Sequence, residues 1–170
     1  AVPPREGSAT GADQERGDWG GMVRIWCQDN GIGIAPADQD QIFGIFERVR
    51  AARAAGYLPI VVTNQAGIAR GFYGEPAFLA YSAWMHERFA EQGAPLLATY
   101  WCPHHAEAGL GDYRVDCTCR KPAPGMLLAA ATAFDLDLPG SFLVGDKVSD
   151  LEAGRAAGLT RVQLVADDGS

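Results

Sequence analysis

Several stretches of the chain combine residue types that can do chemistry together. "IVVTNQAGIARG" carries Thr63 and Asn64 directly after an apolar run, then Gly67, Arg70 and Gly71. A hydroxyl, exposed loop amides and a guanidinium in one turn suit a phosphate, which wants several donors around one anionic group. "CRKPAPG" sets Arg120, a fork of N–H donors, beside Lys121, a compact positive charge, ahead of a proline-capped helix. "FLVGDKVSD" ends an apolar run in Gly145, Asp146 and Lys147, with Asp150 on the following turn. Hard carboxylate oxygens of this kind suit Mg2+. Taken singly, each motif also reads as a helix cap or a surface ion pair. Their joint occurrence at the ends of successive apolar runs favours one shared site.

A further constellation is C-x-H-x12-C-x-C, formed by Cys102, His104, Cys117 and Cys119. Three thiolates and an imidazole on two short turns fit a closed tetrahedral Zn2+ site. Two disulfides are the competing reading, which the tight C-x-C spacing and a cytosolic setting disfavour. With no open coordination position, the zinc would be structural and would hold the loop bearing Arg120 and Lys121 over the rest of the fold. His105 is expected in solvent, and His86 falls on an amphipathic helix with no partner visible in the sequence. Neither is assigned to catalysis.

The elements that must position these residues alternate along the chain. "MVRIWC" predicts a strand, 38 to 55 a helix, "LPIVVT" a strand and 75 to 92 a helix. "PLLATYW" predicts a strand, 123 to 134 a helix, "SFLVG" a strand, 149 to 157 a helix and "RVQLV" a last strand. Five strands alternating with helices imply an α/β domain, a parallel sheet with helices on both faces. Ligands of such sheets bind beyond the carboxyl ends of the strands, where Thr63 and Asp146 stand. Residues 1 to 21, rich in Gly, Pro and charge, predict a flexible tail, which leaves 22 to 170 as a single domain.

Composition limits the partners. The chain has 170 residues, 48% of them hydrophobic, and a net charge of -7. No basic run could displace counterions from a phosphate polymer, so nucleic acid and anionic membrane are not expected. A few focused Arg and Lys side chains still suit a small phosphate ester. Without a charged-then-apolar leader or a bilayer-length apolar run, the expectation is a cytoplasmic monomer acting on a small molecule.

Residues 57 to 165 resemble the haloacid dehalogenase superfamily of phosphotransferases, and specifically its D-glycero-D-manno-heptose 1,7-bisphosphate phosphatase branch, related to the histidinol phosphatases. "VVTNQAGIARG", "WCPHH", "CTCRKPAPGM" and "VGDKVSD" carry the resemblance in order and spacing. It implies a Rossmann-like sheet and Mg2+-dependent removal of the C7 phosphate of a heptose bisphosphate, in the route to lipopolysaccharide core sugars. By the same resemblance Thr63 and Asn64 would hold the transferring phosphoryl group, Lys121 would neutralise it, and Arg70 and Arg120 would aid substrate binding. Asp146 would bind Mg2+ with support from Lys147 and Asp150, and the cysteine cluster would hold zinc.

The superfamily resemblance also implies D-x-D at the end of the first strand, one Asp attacking phosphorus and the other protonating the leaving oxygen. Here the stretch reads "CQDNGIG". With Gly31 aligned to the glycine after the motif, the two acids become Gln28 and Asn30. With Asp29 as the second acid, the nucleophile position holds Cys27; with Asp29 as the nucleophile, the second acid becomes Gly31. No register supplies both carboxylates, so catalysis is expected to be weak or absent, Asp29 being the one acid left there.

The same stretch has a resemblance of its own. "VRIWCQDNGIGIAPADQDQIFGIFERV", residues 23 to 49, is similar to the ATP-binding domain of sensor histidine kinases. That resemblance implies adenine recognition by Asp29, lid glycines at Gly31 and Gly33, and an aromatic box at Phe43 and Phe46. It leaves open a second function, a non-catalytic module binding a phosphate ester or ATP. The bland reading is that this segment supplies the first strand and helix of the sheet.

Overall fold

A computed structural model of the chain describes residues 23–26 and 39–164. Among them the elements run β1 (Val23–Trp26), α1 (Gln39–Ala54), β2 (Leu58–Asn64), α2 (Ala66–Ala69), α3 (Glu75–Glu91), β3 (Ala98–Cys102), α4 (Gly125–Phe134), β4 (Phe142–Gly145), α5 (Val148–Ala156) and β5 (Arg161–Leu164). The expected tail, and the segment 27–38 that carries Asp29 and the two lid glycines, lie outside the described residues.

The five strands are parallel in the order β3-β2-β1-β4-β5. From β1 the chain winds outward to β3, then returns across β1 to β4 and β5, so the winding reverses at the centre of the sheet. A reversal of this kind opens a crevice at the carboxyl edge, between the loops that leave in opposite directions.

Side-chain alternation along β2 builds the two layers. Ile60 and Val62 are fully buried against α4 and α5, with Met126, Leu127, Ala130, Leu143, Ala153 and Leu159 around them. Val61 points the other way, against Val49 of α1 and Phe89 of α3. On that face Phe46 meets Phe89 edge-on with ring centroids 4.8 Å apart. Each buried Ile, Leu or Phe contributes about 1.5 to 3 kcal/mol, so β2 is anchored from both sides before its last residues emerge at the site.

Two single turns, α2 and a 3-10 turn at Gly111–Tyr113, are not anticipated by periodicity, since neither is long enough to show it. α4 begins two residues later than expected because residues 120 to 123 form a turn, with the Ala123 N–H on Arg120 O, before Gly125 N–H returns to Thr118 O. β3 starts at Ala98, later than the apolar run suggests. No helix among the described residues is long and apolar enough to cross a membrane.

Candidate active site at the carboxyl edge of the sheet

Lys121 organises the site. Its ammonium donates to the Val62 carbonyl at 3.0 Å and pairs with Asp150 Oδ1 at 2.8 Å. Both side chains are buried, at 3% and 1% exposure, so this is a desolvated ion pair joining the loop before α4 to α5. The other Asp150 oxygen accepts the Lys147 backbone N–H at 3.1 Å, the reciprocal half of a capping box that starts α5. Burial alone would raise the Asp150 pKa, but the hydrogen bond and charge of Lys121 outweigh it and hold the carboxyl below its ordinary value. Gly145 makes room for this: a Cβ there would lie 2.5 Å from Asp150 Oδ2 and 2.8 Å from its Cγ.

Asp146 sits at the exposed end of β4 beside that pair. Burial first, then a hydrogen bond with Asp150, push its pKa up. Its exposed carboxylate is a hard oxygen donor of the kind Mg2+ takes, while both Asp150 oxygens are engaged by Lys121 and the Lys147 N–H.

The backbone of Lys121 is clamped from β2. Asn64 Nδ2 donates to Lys121 O at 3.1 Å, and Lys121 N–H donates to Asn64 Oδ1 at 3.0 Å. The Asn64 carboxamide is thus committed to holding Lys121, and any contact of Asn64 with a phosphoryl group falls to its backbone. Thr63, 3% exposed, precedes Asn64 at the end of the same strand, its Oγ1 accepting from Gln65 Nε2 at 3.0 Å.

The cysteine cluster stands behind this arrangement. The sulfur pairs Cys102–Cys117, Cys102–Cys119 and Cys117–Cys119 lie 3.6, 3.1 and 3.2 Å apart. His104 Nδ1 lies 3.7 Å from Cys102 and 3.4 Å from Cys119, and all four ligand atoms fall within 4.8 Å of one another. A tetrahedron with arms of about 2.3 Å has edges of about 3.8 Å, whereas a disulfide would bring sulfurs to about 2.05 Å. The four residues therefore fit zinc, and the three cysteines are unbridged. Contact with Cys119 and burial push the Cys102 thiol up, while that same contact holds Cys119 down at about 5. Arg120 ties the cluster to the site, its Nη1 donating to His104 O at 3.0 Å one residue before Lys121.

Of the residues singled out from sequence, Thr63, Lys121, Asp146, Lys147 and Asp150 stand on neighbouring strand ends and the loops beside them. Asn64 and Arg120 hold Lys121 and the cluster loop in place, Arg70 is exposed at the end of α2, and Asp29 is outside the described residues. His86 does have a partner: its Nε2 lies 2.8 Å from Thr99 Oγ1, and burial lowers its pKa. His105 is not simply solvated either, since Nδ1 accepts the N–H groups of Glu107 and Ala108 and shapes their turn. Sequence reasoning passed over Gln65 and Tyr73, which reach Thr63 in series. The only signal for them is the polar "NQ" pair following a buried strand.

Comparison with known proteins agrees with this geometry. The HAD-hydrolase-like family matches residues 118–168, which span Lys121, Asp146 and Asp150. A Burkholderia mallei protein named D-glycero-alpha-D-manno-heptose-1,7-bisphosphate 7-phosphatase is 56% identical over 73% of this chain and 66% of its own. The chain thus spans just under two thirds of that relative. A Vibrio cholerae protein named D-glycero-beta-D-manno-heptose-1,7-bisphosphate 7-phosphatase is 42% identical over 87% of this chain and 78% of its own. Among solved structures, D,D-heptose 1,7-bisphosphate phosphatase from B. bronchiseptica, complexed with magnesium and phosphate, superposes with a TM-score of 0.67 at 30% identity, covering 84% of this chain and 79% of that one. The sheet order, the buried lysine–aspartate pair and these relatives agree: the chain belongs to the haloacid dehalogenase-like hydrolases, in the family of the heptose-1,7-bisphosphate 7-phosphatases.

Proposed function

We propose that this chain is a phosphomonoester-binding domain shaped for the C7 phosphate of a D-glycero-D-manno-heptose 1,7-bisphosphate, and that its own hydrolysis is impaired at the nucleophile. The observation that carries the reading is the buried Lys121, held by Asn64 on its backbone and by Asp150 on its ammonium at the reversal point of the sheet. A cation so fixed and desolvated acts on an anion far more strongly than a surface lysine would. The names of the relatives supply the sugar.

In this reading Lys121 and the Thr63 hydroxyl bind the phosphoryl oxygens, Arg70 binds the rest of the substrate, and Arg120 keeps the loop in register. Asp146, supported by Lys147 and Asp150, would hold Mg2+, which supplies charge neutralisation of the phosphoryl group when bound. Cys102, His104, Cys117 and Cys119 would hold a structural Zn2+. Of the registers open at residues 27 to 30, the one aligned on Gly31 is taken here: Gln28 then stands at the nucleophile position and Asn30 at the general-acid position, and both are neutral amides. Losing a nucleophile lowers rate by on the order of 10^4 to 10^6. Residues 22 to 49 then act as the first strand and helix of one domain, and the chain works as a cytoplasmic monomer, in a compartment that keeps cysteines out of disulfides and available to zinc.

The test is calorimetric titration with the heptose bisphosphate and with ATP, each with Mg2+. The sugar phosphate is expected to bind and to be lost in Lys121→Ala. Binding of ATP alone, abolished by Asp29→Ala, would establish the nucleotide module instead.

A further inference from the structure

Two short paths lead from the cysteine cluster to Lys121. Along the chain, Cys119 stands two residues before it, and Arg120 between them donates from Nη1 to His104 O at 3.0 Å. Across the sheet, Cys102 is the ladder partner of Asn64, and its carbonyl accepts the Gln65 N–H at 2.8 Å. Asn64 then grips the backbone of Lys121 twice, Nδ2 donating to Lys121 O at 3.1 Å and Oδ1 accepting Lys121 N–H at 3.0 Å. This carboxamide has one way round, because a backbone carbonyl can only accept and a backbone N–H can only donate.

The sulfurs of Cys102 and Cys119 lie 3.1 Å apart. A zinc held by both would close a ring that runs from Cys119 through Arg120 to Lys121, over the Asn64 hydrogen bonds to β2, and along the ladder to Cys102. Lys121 sits on this ring with a restraint on either side, the metal on one and Asn64 on the other. Opening the ring at one point leaves the second restraint in place; opening it at both leaves the backbone of Lys121 with neither.

We propose that Asn64 is a positioning residue for phosphate binding that acts through the Lys121 backbone and backs up the zinc: either restraint keeps the ammonium in place for the ligand, and loss of both does not. This rests on the reading of Lys121 as a phosphate contact given above. Affinity scales with the fraction of molecules whose Lys121 is in place, so losing the first restraint has a small effect and losing the second a large one. The experiment is calorimetric titration of inorganic phosphate, with Mg2+ present, into the zinc-loaded unmodified chain, Asn64→Ala, Cys117→Ser, Asn64→Ala/Cys117→Ser and Lys121→Ala. Cys117→Ser removes a zinc ligand that lies off the ring. Asn64→Ala and Cys117→Ser should each weaken binding about 2- to 4-fold, and their double variant about 30-fold or more, beyond the product of the two. A double variant no weaker than that product would show a merely structural asparagine and overturn the proposal. Unchanged affinity in the double variant, with loss in Lys121→Ala, would overturn it while leaving the phosphate site standing. No binding by the unmodified chain would overturn both. Should the double variant fail to fold, zinc affinity measured against a chromophoric chelator, with and without phosphate, decides the matter. By reciprocity phosphate should tighten zinc about 8-fold or more in Asn64→Ala and about 2- to 4-fold in the unmodified chain; equal tightening in the two would overturn the proposal.

Discussion

Removing Asp150 should destabilise the fold far more than it would if Lys121 were on the surface. At 2.8 Å the Lys121–Asp150 attraction amounts to about 6 kcal/mol with an effective dielectric near 20, and taking two charges out of water offsets most of it. The pair is therefore close to neutral for stability, but either partner alone is not. Asp150→Leu leaves a buried ammonium with its carboxylate gone and the Lys147 N–H without its cap, for a loss of about 3 to 5 kcal/mol. Lys121→Met should lose a similar amount. The double variant Lys121→Met/Asp150→Leu, which removes both charges, should recover to within about 2 kcal/mol of the unmodified chain. It should still fail to bind phosphate. Urea unfolding followed by circular dichroism reads the stabilities, and calorimetry reads the ligand. A loss under about 1 kcal/mol in Asp150→Leu, or a double variant as unstable as the sum of the singles, would refute the buried-pair argument.

The zinc reading predicts about one equivalent of metal per chain by atomic absorption and almost none in Cys117→Ser. That variant should melt lower by roughly 5 to 10 °C; full metal content in it would contradict the ligand set. Gly145→Ala should destabilise by about 1 to 3 kcal/mol, because the new methyl group overlaps the Asp150 side chain; a melting temperature equal to that of the unmodified chain would contradict the close approach. His86 is held beside Thr99 with its pKa lowered by burial from 6.5. The unfolded chain takes up a proton there at higher pH than the folded one, so the stability it contributes is complete above about pH 6.5 and falls as pH drops toward the folded value. His86→Gln should flatten the fall in urea midpoint between about pH 7 and 5, and an unaltered slope would remove His86 as its source.

Much of this architecture was legible because it is local. Apolar runs and helical spacing are short-range signals, and they located each strand and each long helix to within a few residues. The zinc-type cluster was legible for the same reason: C-x-H and C-x-C are two short turns whose ligands are already adjacent. What stayed hidden depends on contacts made across the fold. Asn64 reads as a donor to phosphate until Lys121 arrives from 57 residues away and occupies its carboxamide. Nothing in the sequence pairs Asp150 with Lys121, 29 residues before it, until the loop ahead of α4 meets α5, and Tyr73 reads as nothing until α2 folds it back. A side chain's type is written in the sequence, but its partner is chosen by the sheet order.

The central claim is that the pocket is intact and only the attacking acids are missing. The most direct test is release of inorganic phosphate from D-glycero-D-manno-heptose 1,7-bisphosphate, with Mg2+, by the unmodified chain and by Gln28→Asp/Asn30→Asp. The account predicts at least about a hundredfold gain in the double variant, part of the 10^4 to 10^6 that a missing nucleophile typically removes. No gain, in a variant that still melts cooperatively and still binds phosphate, would contradict it.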